Sequence, residues 1–254
     1  MRRRLAIWFY RLLLVALGVG VWQIGVDRGF ISHFFFGSPV VIASRLYDWF
    51  ASGEIYRHLL ITLEETVLAF LIGTGLGLAI GLALALNATA SAVLDPFIKA
   101  ANSMPRLILA PIFAVWFGLG IWSKVALGVT IVFFIVFFNV YQGVKEVSPV
   151  VLANARMLGA NRAQLIRRVY VPSAMSWVFS SLHVSIGMAF VGAVIGEYLG
   201  SSAGVGYLIL QAEGTFDIDT VLAGIALLTL FALLLDGLIT VAEKHLLRWK
   251  QKAE

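Results

Sequence analysis

An all-α membrane protein with six transmembrane helices is the fold class this sequence predicts, and three observations predict it. Of its 254 residues 60% are hydrophobic and only 13% charged, with a mean hydropathy of +0.92, whereas soluble domains carry roughly a quarter charged residues. Uncharged runs able to cross a hydrocarbon core of about 30 Å recur along the chain. The basic residues gather in alternate connections, as the positive-inside rule demands of a multi-pass protein. A soluble globular protein is excluded, and the length leaves no room for a separate soluble catalytic domain. The lack of Cys removes disulfides, thiolate metal sites and thiol nucleophiles. The net charge of +5 is read as a determinant of orientation, with the lipid bilayer and not nucleic acid as the surrounding partner.

The first span runs over Leu12 to Val26, extended to Leu5 if Arg11 snorkels, behind the basic start Arg2-Arg3-Arg4. Gln23 to Phe30 offers no small-x-small cleavage pattern before Asp27, so this is read as a retained anchor, the alternative being a cleaved leader. Ser38 reads as an N-cap with Pro39 at the first helical position, and Ile42, Leu46, Trp49 and Phe50 share a face before Gly53. That predicts an amphipathic helix lying in the membrane interface. Glu64 and Glu65 then precede a second span over Thr66 to Leu94, where a helix N-terminus favours negative charge. Leu107 to Ser123, entered through Pro105 and interrupted by Pro111, is the third. Val125 to Val144, Val169 to Gly196 and Thr220 to Leu235 are the fourth to sixth.

Residues 1–58 are thus an anchor plus outer helix, 59–242 a core, and 243–254 a basic tail. With both termini on one side, fifteen of the 19 Lys and Arg fall on that side, Lys99, Arg106 and the tail residues Arg248, Lys250 and Lys252 among them. Only Arg28, Arg45, Arg57 and Lys124 fall opposite. Both termini are therefore expected in the cytoplasm. The connection from Tyr198 to Asp219 has no Lys or Arg and reads as an outer loop. The connection 145–172 repeats Leu152, Ala155, Leu158 and Gly159 at helical spacing and predicts a structured cytoplasmic hairpin.

Ala69, Gly73, Gly77, Gly81 and Ala85 fall four apart and form one small-residue ridge, suited to close helix packing inside a subunit or between subunits. In the fifth span His183, Gly187, Phe190, Val194 and Glu197 share a face. His183 and Glu197 stand about 21 Å apart along the axis, too far for an acid–base pair. Each is either a packed, structural group or part of a pathway. No catalytic residue is expected. Ser180, Ser181 and His183 cannot face one another on one helix, no Gly-x-Ser-x-Gly or His-Glu-x-x-His occurs, and no Gly-Lys pair exists to form a phosphate-binding loop. No metal-ligand cluster is expected, and any energy for transport must come from a partner or an ion gradient.

Asn139-Val140-Tyr141-Gln142-Gly143, Ala153-Asn154-Ala155-Arg156-Met157-Leu158-Gly159-Ala160-Asn161-Arg162 and Arg167-Arg168-Val169-Tyr170-Val171-Pro172 resemble the EAA loop of ABC importer permeases. Met104-Pro105-Arg106, Trp116-Phe117-Gly118-Leu119-Gly120 and Glu197-Tyr198-Leu199-Gly200 followed by Gly204-Val205-Gly206 look like the nitrate, sulfonate, taurine and bicarbonate subfamily. The chain departs from the EAA pattern at Ala153, where the family has Glu, and at Asn154, where it has Ala; Ala155 and Gly159 match.

The resemblance implies a type I (MetI-like) permease fold in the bacterial inner membrane. It also implies a second permease subunit, two ABC ATPases and an extracytoplasmic substrate-binding protein, with ATP and Mg on the ATPases and no cofactor in this chain. Leu152, Ala153, Asn154, Ala155, Arg156, Leu158, Gly159, Ala160 and Arg162 would couple to the ATPase. Asn139, His183, Gly187 and Glu197 would belong to the translocation pathway, with Glu197 where two subunits meet in the implied dimer. A gradient-driven carrier using His183 and Glu197 is the alternative, and a membrane scaffold without transport a third reading.

Overall fold

The computed structural model describes residues 2–246. Twelve α-helices follow in order: α1 (Arg2–Asp27), α2 (His33–Phe36), α3 (Pro39–Ser52), α4 (Glu54–Ala85), α5 (Ala88–Asn102), α6 (Leu109–Phe117), α7 (Ile121–Lys145), α8 (Pro149–Met157), α9 (Arg162–Leu165), α10 (Val171–Leu199), α11 (Val205–Gly214) and α12 (Ile218–Leu246). No strand occurs among the described residues. Among the described residues five helices are long and apolar enough to cross a membrane, and α5 with the segment from Arg106 to Phe117, taken as one broken span bent by 74°, makes a sixth.

The centre is a three-helix stack of α4, α7 and α10. The small-residue ridge of α4 is buried against α7, so its role is packing within the subunit. A Cβ on Gly77 would stand 2.8 Å from that of Val136, and one on Gly73 2.7 Å from that of Val132. Lipid provides no hydrophobic drive between helices, so close backbone approach has to supply the attraction. Gly192 of α10 meets Gly128 of α7 in the same manner. A second core, of Ile55, Phe190, Val205, Leu208, Ile209, Leu227 and Leu228, joins α4, α10, α11 and α12. The helix α1 stands outside both, its spanning residues unburied, tied in by Gln23, which accepts from the Ser38 hydroxyl and the Val40 N–H at 3.1 Å each.

Several expectations need correction. The second span starts at Glu54 and ends at Ala85; Asn87 caps α5 instead, accepting from the Ala90 N–H at 3.1 Å. Glu64 and Glu65 lie well inside α4 and not before its N-terminus. The third span is not one helix. Pro105 restricts the residue before it and removes a donor, so the helix stops at Asn102 and resumes through a single 3₁₀ turn, Arg106–Ile108. Pro111 falls in the first turn of α6, where a missing N–H costs nothing, and Ser123 belongs to α7. Ser38 is the N-cap residue of α3 with Pro39 opening the helix, as expected, but its side chain bonds Gln23 and not the helix backbone. The apolar face of α3 packs on the second core through Leu46 and Trp49, with Ile42 buried. The connection after Tyr198 contains α11, whose Val205, Leu208, Ile209 and Ala212 turn inward at helical spacing. Arg248, Lys250 and Lys252 lie outside the described residues.

Candidate functional site

Three polar regions and one exposed surface account for the chemistry-bearing residues. The first region sits at the end of the bundle opposite the hairpin. Glu65 of α4, Lys124 of α7 and Glu197 of α10 are each 0–1% exposed. Glu197 accepts from the Thr62 hydroxyl at 2.6 Å and from the Gly206 N–H at 2.7 Å, and the nearby Glu65 carboxyl interacts with it while its Oε2 is buried without a hydrogen-bond partner. The Gly204 N–H donates to His58 Nδ1 at 3.1 Å and the Val205 N–H to Thr62 Oγ1 at 3.2 Å. The orphan N–H groups at the start of α11 are thus satisfied by side chains of α4 and α10. Gly204 has φ +102, and a Cβ there would collide with the Glu197 carboxylate, so glycine serves both backbone and space. The Lys124 ammonium donates to the carbonyls of Leu119 and Gly120 at 2.5 and 3.1 Å, closing the turn between α6 and α7. Its charge acts on both carboxyls. Glu197 is therefore enclosed within one chain, and its expected place at a subunit contact is corrected. Sequence reading also missed Glu65 and counted Lys124 as a loop residue. No local pattern marks them, because their partners come from other helices.

His183 lies elsewhere. Its Nε2 stands 3.1 Å from Asp236 Oδ1 of α12. Next to this pair, Gly187, Phe190 and Asp236 line a largely apolar cavity of about 460 Å³ between α10 and α12. The shared face expected for His183 and Glu197 is divided: one end meets α12 and the other meets α4 and α11. Asn139 returns its amide to the Ile135 carbonyl of its own helix at 2.8 Å.

The third region is the break in the bent span. Arg106 directly follows Pro105, and its Cζ lies 4.9 Å from the centroid of Phe134. Phe134 is near the middle of α7. Arg106 is therefore not a residue of the hairpin side, contrary to its place in the charge count; a cation at the centre of a span costs roughly 2.5–3.5 kcal/mol on insertion scales.

The exposed surface is the hairpin. Here α8 starts at Pro149 and ends in a Schellman turn: the Ala160 N–H donates to the Ala155 carbonyl and the Gly159 N–H to that of Arg156, both at 3.0 Å, with Gly159 at φ +80. Asn161 and Gln164 form a capping box at the start of α9. A π-helical turn, Ile166–Tyr170, leads into α10, whose Pro172 cannot donate to the carbonyl four residues back. Leu152, Ala155 and Ala160 are half-buried, while Ala153, Asn154, Arg156 and Arg162 are exposed. Met157 and Leu158 are 84% and 89% exposed, with Val150 and Val151 open beside them. Leu158 thus departs from the half-buried stripe it was expected to share.

The family model for the binding-protein-dependent transport system inner membrane component matches residues 73–248. The putative aliphatic sulfonates transport permease protein SsuC of Bacillus subtilis is 33% identical over 97% of this chain and 90% of its own length. The riboflavin transport system permease protein RibX of Chloroflexus aurantiacus is 33% identical, over 90% and 85% respectively. The taurine transport system permease protein TauC of Escherichia coli is 29% identical, over 92% and 87%. An inward-facing structure of the MetNI methionine ABC transporter superposes with a TM-score of 0.64 at 20% identity, covering 76% of this chain and 94% of that one. At that identity the likeness shows the fold alone.

Proposed function

We propose, from the premise that this chain belongs to the family of inner membrane components of binding-protein-dependent transport systems, that it forms half of the translocation pathway for a small organic anion. The family fixes the coarser statement: the chain is the multi-pass permease subunit of an ABC importer, a transport component and not an enzyme. Its partners by family are an ATPase and a substrate-binding protein. In our reading two copies of this chain pair, two ATPases carry the ATP and Mg, and both termini and the hairpin face the cytoplasm. The sulfonate and taurine relatives favour an aliphatic sulfonate as substrate; nitrate and bicarbonate belong to the same class of small anions.

One observation carries the coupling role. Val150, Val151, Met157 and Leu158 form an apolar face on a short helix outside both cores, 49–89% exposed. Arg156, Arg162, Arg167 and Arg168 are exposed on the same hairpin and form no ion pair among the described residues. A monomer gains nothing from such a face, whereas a partner cleft would cover it. ATP-driven closure of the ATPase pair would pull α8, and the continuous path from α9 into α10 would pass that motion to the spans.

The test uses Gly159, whose left-handed backbone Asn and Asp tolerate and beside whose Cβ position lies open space. Gly159→Asn should keep docking, and Gly159→Asp, differing mainly by one charge in the covered cleft, should lower co-purified ATPase and ATP-driven sulfonate uptake at least tenfold while membrane insertion is unchanged. Equal ATPase binding by both variants would remove the hairpin from the coupling path. Uptake of riboflavin but not of any alkanesulfonate by the assembled transporter would replace the substrate assignment.

A further inference from the structure

Arg106 has a position that the coupling account does not use. The span that contains it stops at Asn102 and resumes after Pro105 with a bend of 74°. A broken helix at membrane depth is tolerated only where it is buried in protein or lines a cavity or pathway, and Ser103, Met104 and Pro105 at this break are not buried by this chain. The Arg106 guanidinium lies against Phe134, which is 13 residues from the start of α7 and 11 from its end, about 20 and 17 Å along the axis. The charge is therefore at mid-depth.

Its neighbours are neutral. Nη2 donates to the carbonyl and side-chain oxygens of Asn102 at 3.2 and 2.5 Å. No carboxylate among the described residues forms an ion pair with it. Nε is enclosed without a hydrogen-bond partner. Closing the C-terminus of α5 therefore occupies one nitrogen of a five-donor group, and an uncharged Gln could do the same. What the position adds is a fixed cation with unused donors halfway across the bilayer.

We infer that Arg106 is the substrate-binding residue of the permeation pathway, taking the oxyanion head of a small organic anion, sulfonate or carboxylate, as it passes the break between α5 and α6. The planar guanidinium suits two-point hydrogen bonding to such a head, which a Lys ammonium matches in charge but not in geometry. The neighbouring Phe134 face keeps the group anchored while the anion comes and goes. This rests on the chain being a permease subunit; the identity of the anion is tested separately.

The chain has no Cys, so a single thiol reports cleanly. Ser103→Cys, on the exposed side of the break, is labelled in membranes holding the whole transporter. The two probes are the anionic 2-sulfonatoethyl and the cationic 2-trimethylammonioethyl methanethiosulfonate. Adding Arg106→Gln should lower the anionic-to-cationic rate ratio at least tenfold, and Arg106→Lys should keep most of it. The ratio at a hairpin thiol, Asn161→Cys, should not move in either background. A ratio at Ser103→Cys that stays within twofold, or a thiol there that neither probe reaches while Asn161→Cys reacts, overturns the inference. In proteoliposomes, Arg106→Gln should cut ethanesulfonate uptake at least tenfold with the ATPase still bound; undiminished uptake also overturns it. If the unmodified transporter carries no alkanesulfonate yet the labelling ratio collapses, the sulfonate assignment fails and the anion contact stands.

Discussion

The two ends of this bundle treat polarity in opposite ways. At the end opposite the hairpin, three ionisable side chains are buried and their partners come from the same chain: Thr62 and Gly206 for Glu197, and the turn carbonyls for Lys124. At the hairpin the apolar side chains are exposed and the arginines have no ion-pair partner among the described residues. Burial of charge is costly unless it is paired, and exposure of apolar surface is costly unless it is covered. The first region is thus closed by its own chain, apart from Glu65 Oε2, which is buried without a hydrogen-bond partner, and the second leaves open a face that, in the proposed reading, another subunit covers. Mutations should divide accordingly, into losses of folding at one end and losses of association at the other.

The largest effect is expected at Glu197. Removing it leaves the Gly206 N–H unsatisfied and the Lys124 charge less compensated, a type of loss that costs about 3–5 kcal/mol. Thermal unfolding of purified Glu197→Ala should show a midpoint many degrees lower, with Glu197→Gln intermediate because its amide oxygen still accepts from Gly206. An unchanged midpoint for Glu197→Ala would break the comparison, since the buried cluster would then not be holding α11.

At the other end, Met157→Ser with Leu158→Ser should alter unfolding by no more than about 0.5 kcal/mol, as surface changes do. Titration with purified ATPase should show the opposite, an affinity at least tenfold weaker, about 1.4 kcal/mol. Reduced stability together with unaffected affinity would mean that the apolar face belongs to this chain's own core.

The smallest effect sharpens the boundary between buried and exposed polarity. Asp217, ahead of α12, is partly buried, which alone would raise its pKa. The Thr220 N–H and hydroxyl, at 3.1 and 2.7 Å, together with Arg45 at 3.4 Å, outweigh that and hold it below the usual aspartate value. Its stabilising contribution is therefore present above the unfolded value of about 3.9 and is lost as pH falls through the lower folded value. With Arg45 half-exposed the contribution should stay under about 1 kcal/mol and weaken with salt. Asp217→Asn should abolish that acid-side change, measured as amide exchange of the α11–α12 corner between pH 5 and 3; persistence of the change in the variant would assign it to another group.

What the residues determined by themselves is what depends on near neighbours. Apolar content and run length set the membrane class and the spans of α7, α10 and α12, because desolvation of a helix is local to its own residues. The four-residue ridge of α4 predicted close packing, because Cβ clearance is a property of single positions. Tertiary structure alone decided where charges end up. Glu65 and Glu197 meet across two helices, His183 finds Asp236 on a third, and Arg106, which looks like one more basic residue of a cytoplasmic connection, lies against Phe134 at mid-depth. The reason is that a charge in a bilayer is tolerated through its partners, and partners from different helices are chosen by packing, which leaves no periodic trace along the chain.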